Sequence, residues 1–232
     1  MIRGWRSASI PGRPWGWEMG TLQRNAGTAG MVAAVLLVVG VILFFSSGLA
    51  DPQTAADPAK ALPKIAESKS RSALTNIVFS VALAFAAVFL AGLYTRLREK
   101  APTRAVAMLY FGLWGLFGFV LLSMIQWLGG NHLAGYAATD QVAASHAYVA
   151  LYAITQGGNA LGNAFIGASL VIAGWAIIAT GALPATIGWV GVVGGVLSVI
   201  LVFAPTSNAV FLASTLLSVV YLLWAGSQLR RG

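Results

Sequence analysis

Gln156, Asn159 and Asn163 are the residues whose types and spacing could do chemistry in this sequence. Asn159 and Asn163 lie four apart, and Gln156 three before Asn159, so on a helix the three amides share a face. That face could line a cavity and hold a substrate. It could instead bond to a neighbouring helix, with Gly158 and Gly162 letting two backbones approach closely. The second role, holding a bundle together, is the expected one. The two histidines are His132 and His146, both expected in a loop. Imidazole can ligate haem iron or a pigment's metal, and His146 is the candidate ligand. Its plainer reading is a hydrogen-bonded surface side chain. No serine, Ser123 included, has a His and an acid beside it at a spacing that suggests a triad. The chain has no cysteine and only 6 Asp and Glu. Thiolate metal sites and cysteine nucleophiles are excluded, and acid–base chemistry is thinly supplied.

The elements that must position these residues are membrane spans. Of the 232 residues, 58% are hydrophobic and 9% charged, where an average soluble domain carries roughly a quarter charged. A helix crosses the hydrocarbon core with about 20 apolar residues. Six such runs are present: Gly30 to Leu49, Leu74 to Leu93, Ala105 to Leu128, one within Gly158 to Thr180, Ile187 to Phe203, and Val210 to Ala225. The third is closed by Gly129-Gly130-Asn131-His132. Gln141 to Ile154 is too short and polar for a seventh span and reads as an interfacial helix, with Gly157-Gly158 as the break before span four. The runs are continuous rather than alternating, which excludes a transmembrane barrel. The expected fold is an all-α polytopic bundle of about six spans plus that short interfacial helix.

Residues 1–27 read as a basic, Trp- and Pro-rich cytoplasmic leader, and residues 28–232 as one transmembrane helical domain. Met19 falls inside the leader, and a start there would shorten it. Orientation follows from the positive charges. With both termini inside, the inner segments hold Arg3, Arg6, Arg13, Arg24, Arg96, Arg98, Lys100, Arg104, Arg230 and Arg231, and the outer loop holds Lys60, Lys64, Lys69 and Arg71. The net charge of +8 is thereby accounted for by topology and anionic lipid. Nucleic acid, which needs a clustered basic groove with aromatic platforms, is not an expected partner.

No Asp, Glu, Lys, Arg or His lies inside the six apolar runs. Intramembrane ionisable groups mark proton relays, ion paths and voltage sensors, so pumps, proton-coupled carriers and voltage sensors are disfavoured. Gly191-xxx-Gly195, and Gly112, Gly115 and Gly118, give flat stripes for close helix packing. They could otherwise form a dimer face or a groove for a flat ligand such as a carotenoid or quinone. Gly181 can close span four with φ > 0, Pro184 cannot continue a helix, and Thr186 is placed to cap span five. Pro205-Thr206-Ser207-Asn208 makes the corresponding turn before span six.

The stretch from Gly181 to Gly195, GALPATIGWVGVVGG, with Leu222-Leu223-Trp224 and Arg230-Arg231 after it, resembles a bacterial family of six-helix membrane proteins catalogued only as a domain of unknown function. The resemblance covers the last third of the chain. It implies six helices and supplies no catalytic residues to carry over.

These readings lead to a non-enzymatic integral membrane protein of the cell membrane. It would be an accessory or scaffolding subunit, meeting other membrane subunits through the leader and the Gly-rich helix faces, or a binder of an apolar ligand between its helices. No cofactor is identified. The rivals are a channel or facilitator for a small neutral solute, lined by Asn159 and Asn163, and a lipid-modifying enzyme using His132, Asp140 and His146.

Overall fold

Every apolar run becomes helix, because backbone polar groups in lipid must pair within their own segment. In the computed structural model the described residues are 15–204 and 207–231, with side chains described from Gly20 onward. They form eight helices and no strand. These are α1 (Trp15–Ser46), α2 (Pro52–Ala56), α3 (Pro58–Glu67), α4 (Lys69–Leu97), α5 (Pro102–Tyr136), α6 (Gln141–Thr180), α7 (Ala185–Phe203) and α8 (Asn208–Arg231). Six of them, all but α2 and α3, are long and apolar enough to cross a membrane. The long helices pack in the order α1, α4, α5, α6, α7, α8, and α8 returns to α1, which closes a ring.

Glycine sets how tightly the ring closes. A side chain on Gly167 would meet the Gly195 carbonyl oxygen at 2.6 Å, and one on Gly195 would meet the Gly167 carbonyl at the same distance. Gly174 and Gly188 form a second reciprocal pair two turns along, and Gly27 and Gly226 join α1 to α8 in the same way. These are backbone-to-backbone approaches that only small residues allow. Two buried hydroxyl bonds add to them. Ser169 Oγ donates to the Met108 carbonyl oxygen at 2.8 Å, and the Ser198 and Ser214 hydroxyls lie 2.7 Å apart. One end of the ring is filled by Phe89, Leu93, Leu97, Met108, Ile177, Ile187 and Tyr221, all fully buried.

At the other end α5 and α6 are longer than their neighbours. Gly195 lies against Gly167, so the end of α7 falls level with about residue 159 of α6. Residues before that project as a hairpin with the end of α5. Helices α2 and α3 lie across this end as a strap. Ala61, Leu62 and Ile65 of α3 are buried against Ala144 and Tyr148 of α6. The strap's helices start where the sequence dictates. Asp51 and Asp57 each accept backbone N–H bonds as N-caps, and Pro52 and Pro58 occupy the first turns. Hydrogen bonds from the Thr54 hydroxyl and backbone hold the Asp51 carboxyl below its ordinary value.

Several expectations are corrected. The interfacial helix before span four does not exist as a separate element, because α6 runs unbroken through Gly157-Gly158 for 40 residues. Gly158 is helical there and seats Leu122 of α5; the only described glycines with positive φ are Gly48 and Gly181. The short amphipathic helices lie between spans one and two instead. Helix α1 begins at Trp15, within the expected leader. Residues 1–14 of the expected leader and Pro205-Thr206 of the last turn lie outside the described residues. Gly129 to His132 do not close span three; α5 continues to Tyr136. Gly181 does cap α6 at φ 61°, whereas Pro184 rather than Thr186 holds the N-cap position of α7. The glycine faces, offered as partner surfaces, are spent inside the chain: Gly158 and Gly162 on α5, and Gly191 and Gly195 on α8 and α6. Trp175 faces outward at 53% exposure, suited to lipid.

Candidate ligand-binding chamber

Between the filled end of the ring and the strap lies a cavity of about 460 Å³, within the roughly 300–1,000 Å³ of small-molecule sites. All six long helices contribute to its wall. Along α6 the lining residues Tyr148, Tyr152, Gln156, Asn159, Asn163, Ile166 and Leu170 recur every three or four positions, the single stripe that a helix presents to one side. The sequence-predicted amide patch is therefore brought together on one wall. Asn163 Nδ2 donates to the Asn159 backbone carbonyl at 2.9 Å, a bond inside α6. Their stripe lines the cavity, while Gly158 and Gly162 face α5.

The wall has two characters. On the α1–α4 side, Leu37, Val41, Phe44, Phe79, Leu83 and Phe89 are apolar, and toward the strap Ser47, Ser72, Thr75 and Asn76 add hydroxyls and an amide. Facing them are the amides of α6, Ser123, Gln126 and Asn131 of α5, and Ser214, Thr215 and Ser218 of α8. Among the described residues no Asp, Glu, Lys, Arg or His lines the cavity. The closed end is formed by Phe89 and Tyr221, whose rings meet edge to face at 6.1 Å. The strap contributes Pro52, Ala55 and Ile65 to the other end. It is tied down by Tyr148 Oη donating to the Ala55 carbonyl at 2.9 Å and by Asn208 Nδ2 donating to the Ala50 carbonyl at 3.4 Å.

Three residues of this wall carry a buried polar atom without a hydrogen-bond partner: Trp127 Nε1, Asn131 Oδ1 and Tyr221 Oη. Each such atom costs about 1–3 kcal/mol when it is left dry. Sequence reasoning did not single out Trp127 or Tyr221. It also missed the α8 hydroxyls, since Ser214 and Ser218 carry a signal only as an i,i+4 pair.

His132 and His146 lie in helices, exposed, and neither lines the cavity. Asp140 is occupied as the N-cap of α6, accepting from the Ala143 N–H at 2.9 Å. Among the described residues no group of three or more His, Asp or Glu side chains could hold a metal ion.

A closed ring of membrane-length helices around an uncharged cavity defines the class, a polytopic helical membrane protein. The chain belongs to the family described as a domain of unknown function (DUF4386), whose model matches residues 31–227. The match runs far beyond the last third in which the resemblance was read. Comparison with curated proteins and with solved structures gave no match.

Proposed function

We propose that the chain is a non-enzymatic binding protein of the cell membrane that holds a small uncharged molecule within its helix ring. The observation that carries this reading is the cavity itself, about 460 Å³ in volume and lined by amides, hydroxyls and apolar side chains, with no charged group among the described residues. A catalyst would need an acid, base or activated nucleophile, and the lining offers none beyond neutral hydroxyls. The binding half of the sequence expectation is thus favoured over an accessory-subunit role, because Gly158, Gly162, Gly191 and Gly195 meet helices of the same chain.

The test is organic extraction of the full chain purified in mild detergent, followed by mass spectrometry. A stoichiometric neutral small molecule is expected. Thr215→Trp, which places an indole at the wall, should remove it while the protein stays folded. Absence of any bound molecule from the parent chain would sink the reading.

Orientation is part of the proposal. Both termini are cytoplasmic and the strap is on the outer side, as the ten-to-four distribution of basic residues demands. Cysteines introduced at Ala55 and Gly232 should label from opposite sides of sealed vesicles, and labelling from one side would reverse or end this topology.

A further inference from the structure

Two arginines from different helices line one cleft at the end of the ring opposite the strap. Arg96 comes from the last turn of α4 and Arg231 from the last turn of α8. Gln228 of α8 and the α6–α7 turn from Gly181 to Pro184 complete the lining, and the cleft has a volume of about 420 Å³. The core fixes the backbone at these positions. Leu97 and Leu229, the residues after Arg96 and Gln228, are buried in the filled end of the ring, as are Ala182 and Leu183 of the turn.

The donors of this cleft are largely unspent. A guanidinium carries five N–H groups. Arg96 uses one, donating from Nε to the Ala182 carbonyl at 3.5 Å. Among the described residues neither Arg231 nor the Gln228 amide has a hydrogen-bond partner, no Asp or Glu lines the cleft, and the one ion pair joins Lys60 to Asp57 far from it. Lys100 Nζ, which donates to the Thr180 carbonyl at 3.3 Å, adds a third positive charge beside the same turn.

Three exposed tryptophans give the cleft its depth in the bilayer. Trp175 of α6 lies six residues before Gly181, Trp189 of α7 five after Pro184, and Trp224 of α8 four before Gln228. At 1.5 Å per residue each indole sits roughly 6–9 Å nearer the bilayer centre than the cleft. Such a belt marks the level where hydrocarbon gives way to headgroups, so the cleft lies level with the lipid phosphates. Arginine binds phosphate through two parallel N–H···O bonds, and a second guanidinium neutralises the remaining charge.

We propose that this cleft binds a phosphate group between Arg96 and Arg231, with the Gln228 amide as a further donor. The phosphate belongs to a lipid headgroup reaching in from the bilayer or comes free from solution, and the experiment separates the two. The site is independent of the chamber and of what fills it.

The test uses the full chain in mild detergent and native mass spectrometry. The probes are phosphatidylglycerol, diacylglycerol with the same acyl chains, and inorganic phosphate. Phosphatidylglycerol is expected to bind one to one and more tightly than diacylglycerol, which lacks the phosphate. Arg231→Gln should weaken it about tenfold, the scale of one hydrogen bond to a charged group, and leave diacylglycerol unchanged. Arg231→Lys keeps the charge but loses the fork, and should restore only part of the affinity. Arg96→Gln should act in the same direction, with thermal unfolding of the probe-free variant reading any loss of the Ala182 bond separately. Arg104→Gln removes a charge from an exposed position outside the cleft and should leave binding unchanged. If inorganic phosphate rather than phosphatidylglycerol shows the dependence on Arg231, the site stands and its phosphate comes from solution. If Arg104→Gln weakens binding as much as Arg231→Gln, the charge acts diffusely and the proposal fails. It fails equally if neither phosphate probe binds in an Arg231-dependent way.

Discussion

Gly174→Leu and Gly188→Leu should each abolish recovery of folded protein from the membrane. These two glycines face one another across α6 and α7, and a side chain on either meets the other's carbonyl oxygen, together with Val192 for Gly174 and with Ile177 and Ile178 for Gly188. A flexible neighbour could give way, but two helix backbones cannot without separating along their length. The cost should exceed the roughly 1–3 kcal/mol of an overpacked soluble core. The contrast is Gly118→Leu, where the structure shows open space and stability should hold. Thermal unfolding in detergent, followed by size-exclusion chromatography, reads both. Equal stability of Gly174→Leu and Gly118→Leu would mean that the ring is not closed by glycine contact.

Much of this packing is legible in the sequence, and the reasons are physical. Six runs of span length declare six helices because nothing else satisfies backbone groups in lipid. The Gly191 and Gly195 stripe announces close packing. What it packs against was not legible, since a partner helix inside the chain and one outside leave the same spacing. The Gly157-Gly158 pair misleads for a related reason. Glycine breaks helices in water because its backbone is free, yet in a bundle the same missing side chain makes room for Leu122. The strap was hidden as well. Residues 51–68 are too short and polar to stand out, and only Asp-Pro at positions 51–52 and 57–58 marks their helix starts.

Asn159→Leu with Asn163→Leu should separate stability from binding. The described Asn163 bond closes within α6, and interhelical amide bonds in membranes average only about 0.6 kcal/mol. The double variant should therefore unfold within about 1 kcal/mol of the parent. Retention of the bound molecule should fall by about tenfold or more, as expected for two neutral hydrogen bonds worth roughly 1 kcal/mol each. A variant that unfolds early while keeping its ligand would return these residues to the bundle-holding role that their spacing first suggested. The amide patch was the part of the site visible from sequence, because i, i+3 and i+7 spacing survives any packing. Its opposite wall was not visible: Leu37, Phe79 and Leu83 look like any lipid-facing residues until the ring closes around them.

The central claim is that the ring encloses a chamber occupied by an uncharged molecule, and an experimental density map of the full chain in lipid nanodiscs tests it most directly. The account predicts density for a bound molecule between the α1–α4 wall and the Gln156, Asn159 and Asn163 stripe. A chamber collapsed onto its own side chains, or one holding only isolated waters, would contradict it.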